Sequence, residues 1–364
     1  MERSTASKPS IPDSHGKSAI RIDVRRWMES DASRSTKLHI SEPREVACFS
    51  RGADRKVQYG DRRELKRYRE PALNSNLGDK LDCFVPKADE MANVDTIVEA
   101  LEHDGYNRME EIDVVTFRNN LNKIGGTPYN KRNDWEIDCA MVGNTVFLDI
   151  RKIDEDKPNP YAFRFMYYGY RFEAICTGAE EELVNANSEF CSVARLRLGN
   201  HRIIMSAEID CTTGDPKNVD NPVRSYLELK TMREVRSDKE LGNMYRHRFP
   251  KYWIQSYLAG VRHIALGLRS DDGELLAVKR LETHRLHREA REFFNERRMR
   301  GCWEPFACLN FIDFVLDNIR RACGRQPGST LRLRYNAKTD IIEGDFLRDD
   351  ESHIGARMAS RYTP

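Results

Sequence analysis

The chain has 364 residues, 39% hydrophobic and 32% charged, with 60 basic against 58 acidic side chains and a formal net charge of +2. That balance excludes a polybasic, histone-like arm as the main feature but permits a local basic groove. No stretch nears the roughly 18 apolar residues that span a bilayer, and nine cysteines without a CxxC pair suggest neither a zinc ribbon nor a disulfide framework.

Residues 1–20 mix Ser, Pro, Lys and Asp with little to bury and read as a disordered leader. Short apolar groups among charges from Ile20 to Tyr68 suggest extended structure. Helical spacing covers Val94 to Leu101, and a second helix is expected over Ile112 to Ile124, ended by Gly125, Gly126 and Pro128. Six strands follow: Thr145 to Ile150, Phe190 to Leu198, Arg202 to Cys211, Arg224 to Thr231, Arg262 to Leu268 and Glu274 to Leu281. Asp238 to Leu258 reads as a helix that Pro250 should kink or break. A basic helix from His284 to Arg300, an apolar one from Phe306 to Ala322 and a strand pair, Thr330 to Tyr335 and Asp340 to Phe346, come next. Residues 349–364 read as a flexible tail. The expectation is a soluble, intracellular α+β domain over residues 21–348, with mixed central sheets flanked by helices.

The chemistry concentrates between Gly169 and Gln255. A period of two puts Ile204, Ser206, Glu208 and Asp210 on one face of their strand and an apolar row on the other. On the next strand Tyr226, Glu228 and Lys230 share a face, so pairing of the two strands would gather three carboxylates and an ammonium. Clustered carboxylates repel and recruit hard cations, and all-oxygen ligands suit Mg²⁺ or Mn²⁺. Two such ions stabilise the attacking and leaving oxygens of a phosphoryl displacement. Taken singly, each motif is weak. Glu64-Leu-Lys66 repeats the Glu-x-Lys pattern in a solvated segment, and Glu-Ile-Asp occurs three times. Only the copy at Glu208 lies in an alternating strand followed by a Glu-x-Lys strand. The competing reading is a solvent-facing sheet with salt-bridged charges.

The order of several motifs adds a resemblance. Phe117-Arg118, Gly169-Tyr-Arg-Phe-Glu173, Glu208-Ile-Asp-Cys211 and Glu228-Leu-Lys230 stand in sequence, with Cys48-Phe-Ser50 and Arg55 before them. Thr127-Pro-Tyr129, Phe190-Cys-Ser-Val193, Tyr245-Arg-His247 and Trp253-Ile-Gln-Ser256 fit the same series. In these the chain resembles the DXO family of RNA decapping and 5′→3′ exoribonuclease enzymes, over residues 45 to 310. The resemblance implies an active-site cleft related to PD-(D/E)xK nucleases. Glu173, Glu208, Asp210, Glu228 and the Leu229 carbonyl would bind two divalent cations, Mg²⁺ or Mn²⁺. Lys230 and Gln255 would contact the scissile phosphate or the attacking water, Arg55 and Arg118 would hold RNA phosphates, and Cys191 would line the channel. Phe117 and Asn119, flanking the arginine, replace the Trp and Gly frequent in the family and would alter the pocket's shape.

The implied substrates are RNAs with incompletely methylated, NAD-type or triphosphate 5′ ends, degraded 5′→3′ thereafter. A monomer is expected, without membrane contact and resident in the nucleus, with a large nuclear 5′→3′ exoribonuclease as the family's partner. Two rivals stay open: a DNA nuclease of the PD-(D/E)xK type, and a non-catalytic RNA-end-binding subunit that stabilises an exoribonuclease. The residues taken alone have plainer readings too. Glu173 can be an exposed acid after core aromatics, Arg118 a surface charge, Gln255 a satisfied helix polar group and Cys191 a small buried hydrophobe. His247 reads as a packed or phosphate-facing side chain, and the arginines from Arg285 to Arg300 as a solvated helix face.

Overall fold

The computed structural model describes residues 18–88, 93–153, 161–348 and 353–362. The strands among them are β1 (Ile20–Asp23), β2 (Arg44–Arg51), β3 (Val57–Tyr59), β4 (Val114–Phe117), β5 (Trp135–Val142), β6 (Thr145–Ile150) and β7 (Glu189–Leu198). There follow β8 (His201–Glu208), β9 (Cys211–Thr212), β10 (Tyr226–Arg233), β11 (His263–Arg269), β12 (Leu275–Glu282), β13 (Leu331–Asn336) and β14 (Ile341–Phe346). The helices are α1 (Val24–Glu29), α2 (Asp31–Arg34), α3 (Asp95–His103), α4 (Arg118–Gly126), α5 (Ala162–Ile175), α6 (Asp238–His247) and α7 (Phe249–Leu258), then α8 (Leu286–Glu296), α9 (Pro305–Cys323) and α10 (Ile354–Tyr362). Most of the expected leader, residues 1–17, lies outside the described residues.

A large mixed sheet runs β1-β14-β13-β5-β6-β4-β8-β7-β2-β3, and a smaller one runs β12-β11-β10-β9. The α+β expectation holds, with instructive departures. Ile112 to Ile124 is not one helix. Val114 to Phe117 form β4, paired in parallel with both β6 and β8, and only Arg118 onward is helical. All four β4 residues are buried, with Val114 in the core on one face and Val115 on the other. A strand covered on both faces is apolar without alternation, and its run into Leu121 and Ile124 imitates a helical stripe.

The strand expected over Arg202 to Cys211 also divides. The chain pairs in the large sheet through Glu208, crosses at Ile209–Asp210, and enters the small sheet with Cys211–Thr212. β8 and β10 therefore belong to different sheets, linked through β9, rather than pairing along their lengths. The Asp238–Leu258 helix breaks at Arg248, with Pro250 in the first turn of α7, where its missing N–H costs no bond.

α5 was not apparent in the sequence. Its buried face, Tyr167, Tyr168, Phe172 and Ile175, packs on the small sheet with Leu227, Leu229 and Ala265. Gly267 permits this, because a Cβ there would stand 2.6 Å from the Phe172 ring.

Residues 353–362 do not form the expected loose tail. Ile354 and Met358 of α10 are buried against the face that carries Val115, Phe147 and Ile204. Arg357 bonds Asp149 at 2.5 Å and Asp95 at 3.0 Å, and Arg361 bonds Glu102 at 2.6 Å. Met358→Ala should lower unfolding free energy by about 2–5 kcal/mol, the range for emptying a closed core position. Urea titration reads it, and an unchanged midpoint would contradict a docked helix.

Candidate active site

The acids come from four places where the two sheets meet. Glu173 is in the last turn of α5, Glu208 ends β8, Asp210 sits in the crossing between sheets, and Glu228 is on β10. A cavity of about 80 Å³ is lined by Glu173, Glu208 and Asp210 together. Burial, with the charges of Asp210 and Glu208, pushes the Glu173 carboxyl well above the usual range. Burial and the charge of Glu228 raise Asp210 to about 7.

Glu228 behaves oppositely. It is 1% exposed, and burial alone would raise it, but Lys230 and Arg118 outweigh that and hold it ionised. Its Oε1 accepts from Lys230 and, at 2.6 Å, from Gln255 Nε2 of α7; its Oε2 accepts from Arg118 at 3.2 Å. Leu229 meets the cluster through its N–H, which donates to Asp210 Oδ2 at 2.6 Å.

Beside the acids opens a cleft of about 330 Å³, lined by Arg55, Phe117, Arg118, Asn119, Cys191, Glu208 and Gln255. Arg55, Phe117, Arg118, Asn119, Cys191 and Gln255, all expected toward substrate, thus share one wall system with Glu208; Lys230 stands behind it, bonded to the Glu228 oxygen that Gln255 also meets. Register explains the convergence. Phe117 is opposite Ser206 and Cys191 opposite Glu208, so the carboxyl ends of β4 and β8 and the start of β7 open at the same rim. Arg55 is held at the β2–β3 turn with φ +64°, its Nη1 3.4 Å from Asn187 Oδ1. Burial raises the Cys191 thiol well above its ordinary value, which suits a wall residue and not a nucleophile. In and beside α8, Arg291 pairs with Glu304, Arg297 with Asp238 and Arg285 with Glu282.

Sequence reasoning missed Lys87 and the Arg51–Glu189 pair. Lys87 Nζ lies 2.5 Å from Glu189 and 3.3 Å from Glu208, and Arg51 Nε is 2.9 Å from Glu189. Arg51 carried one signal, a charge ending a strand whose last residues are otherwise buried. Lys87 carried none.

Do these residues fit a metal? Among the described residues no three acid, His or Cys groups stand converged as a ready cage, because Glu228 faces three cationic or amide donors and Glu208 faces Lys87. The donor set nonetheless fits. It is all carboxylate oxygen, as hard divalent cations require, and the mutual repulsion that raises Glu173 and Asp210 is what a bound cation would relieve.

A carboxylate cluster at the strand ends, with Glu-x-Lys on the neighbouring sheet, marks a hydrolase of the PD-(D/E)XK nuclease class. A family model described as RAI1-like PD-(D/E)XK nuclease matches residues 41–356. The chain is 30% identical over 333 residues to the decapping nuclease RAI1 of Aspergillus fumigatus, across 84% of this chain and 88% of that one. It is 33% identical over 299 residues to the human decapping and exoribonuclease protein, across 74% and 72%. The crystal structure of S. pombe Rai1 superposes with a TM-score of 0.77 at 26% identity, covering 90% of this chain and 99% of that one. The chain belongs to the RAI1-like PD-(D/E)XK family of decapping nucleases.

Two outcomes follow for the metal-free protein. Asp210, raised to about 7, binds its proton more tightly folded than unfolded. Its stabilisation is full below about pH 4 and is lost as pH rises through 7. In EDTA, Asp210→Asn should therefore match or exceed the wild-type melting temperature at pH 8. Added Mn²⁺ should raise the wild-type melting temperature and leave the variant's unchanged; equal shifts would place the ion elsewhere.

Proposed function

We propose that this chain is a divalent-cation-dependent hydrolase of RNA 5′ ends. It removes incompletely methylated and NAD-type caps, releases pyrophosphate from 5′ triphosphates, and digests the exposed strand 5′→3′. The observation that carries this reading is the cleft itself. Arg55 and Arg118 stand on walls that lead to Glu208, so an anionic 5′ end drawn in by the guanidiniums meets the acids at the cleft's end. Relatives named as decapping nucleases support it, as does S. pombe Rai1 crystallised in complex with 3′-FADP.

In this reading Glu173, Glu208, Asp210, Glu228 and the Leu229 carbonyl hold two ions, Mg²⁺ or Mn²⁺. When bound, these activate water and offset charge growing on the phosphoryl oxygens. The protein's own groups do the rest. Lys230 and Gln255 converge on one Glu228 oxygen and from there present donors to the scissile phosphate. Arg118 and Arg55 grip flanking phosphates as planar forks, Phe117 and Cys191 keep one wall apolar, and Asn119 sits at the mouth. Action as a monomer, nuclear residence and association with a large 5′→3′ exoribonuclease belong to the same reading.

The test uses matched RNAs bearing triphosphate, unmethylated cap, methylated cap, NAD or monophosphate, with Mg²⁺ or Mn²⁺. Metal-dependent release of 5′ groups is expected, absent in Glu208→Ala/Asp210→Ala. Lys230→Met should slow turnover by roughly 10²–10³-fold, the scale of one lost charge-stabilising donor. RNA binding without turnover on any end would sink the proposal.

A further inference from the structure

The strands that carry Cys191 and Glu208 have a second charged region at their other ends. In β7, Arg195 and Arg197 fall in step with Cys191; in β8, Arg202 falls in step with Ser206 and Glu208. These three arginines, with Arg44 of β2 and Arg224, line a cavity of about 480 Å³. The acids around it are already engaged. Glu42 accepts from Arg224 at 2.6 Å and Arg262 at 3.1 Å, Glu111 from Arg108 at 2.8 Å, and Asp113 from Arg202 at 2.9 Å.

That leaves a surplus of positive charge. Among the described residues Arg44 and Arg195 have no acidic partner, and Arg197 Nε donates only to the Gly199 carbonyl, at 3.1 Å. The backbone also opposes like charges. Arg44 stands across the ladder from Arg195, and Arg197 across from Arg202, pairings that destabilise a sheet when nothing lies between them. An anion resolves both conditions, and guanidinium forks match phosphate oxygens in bidentate fashion. The lining favours nucleic acid over protein. Among the described residues its lining has Ile112 and Leu196 as apolar members and no aromatic side chain of the kind that anchors a protein partner. A strongly positive lining rich in guanidinium groups is that of a nucleic-acid interface.

We propose that this cavity is a second RNA site, gripping the phosphate backbone of the transcript body whose 5′ end occupies the cleft. The inference rests on the RNA substrate proposed above. Six strand residues at about 3.3 Å each put Arg202 roughly 20 Å from Glu208. With the phosphate after its first nucleotide at the acids, a trinucleotide has two nucleotides left and ends short of that distance, so short RNAs miss the site and long ones reach it.

Arg195→Glu tests this cleanly, since a glutamate opposite Arg44 makes an attractive cross-strand pair and should keep or raise the melting temperature. Fluorescence anisotropy in EDTA would follow 5′-monophosphate RNAs of three and about thirty nucleotides. The variant should bind the long RNA at least tenfold more weakly near 0.1 M salt, with the slope of log K against log salt shallower by about one. Its affinity for the trinucleotide, and its hydrolysis of that RNA with Mn²⁺, should be unchanged. Equal weakening for both lengths overturns the proposal, as an effect transmitted to the cleft. Unchanged binding of the long RNA overturns it too and leaves an acidic protein segment as the occupant. Should the wild type hydrolyse no 5′ end while Arg195→Glu still separates the two lengths, the catalytic reading falls and this one stands.

Discussion

A carboxylate removed from water must be matched by positive charge and hydrogen bonds, or its burial costs several kcal/mol. Glu228 meets that condition with Lys230 from its own strand, Gln255 from α7 and Arg118 from the first turn of α4. Those three donors come from three separate elements, of which α4 and α7 also pack on each other in the main core. α4 follows a central strand of the large sheet, β10 lies within the small one, and α7 is part of the connection between two parallel strands. Satisfying one buried acid thereby adds a polar tie at the junction of the two sheets, beside the apolar core they share. It also aims Arg118 into the cleft instead of out to solvent.

The same junction sorts the acids by charge state. Glu228, surrounded by cations, stays ionised, while Glu173 and Asp210 are raised because burial and neighbouring acids oppose their ionisation. A cluster with one permanent anion and two that await a counter-charge is poised to take a cation without first losing a proton from every ligand. The crossing at Ile209–Asp210 makes this geometry possible. If β8 had continued straight, Asp210 would have remained in the large sheet, away from the Leu229 amide that now orients it.

Much of the site was legible in the sequence because the alternation around Glu208 and Glu228 is a property of the strand itself. Residues with no distinguishing neighbours, Arg118 and Gln255 among them, became visible only through the order of the motifs around them. What stayed hidden has physical causes. β4 looked helical because a strand buried on both faces loses its period of two. α5 was unreadable because its aromatic residues have middling helix propensity and Gly169 interrupts the run, so the helix depends on packing against Leu227 and Leu229. The change of sheet at Asp210 leaves the alternating pattern intact, and nothing in the residue types announces it. Lys87 acts through a backbone held by Asn187, which accepts the Ala88 N–H at 2.8 Å, a long-range arrangement with no local signature.

The large sheet has its own consequence for how the molecule is made. Its edge pairs Ile20–Asp23 with Ile341–Gly344, so strands far apart in the sequence lie side by side, and α10, which follows them, covers part of one face beside α3. A nascent chain that has not yet reached α10 therefore holds β5 and β6 with part of one face bare and an edge open. Ladders closed over such sequence separations form slowly, and exposed strand edges invite association with other chains. The candidate cleft, whose described walls all lie before residue 260, could take shape well before the sheet that supports it is sealed.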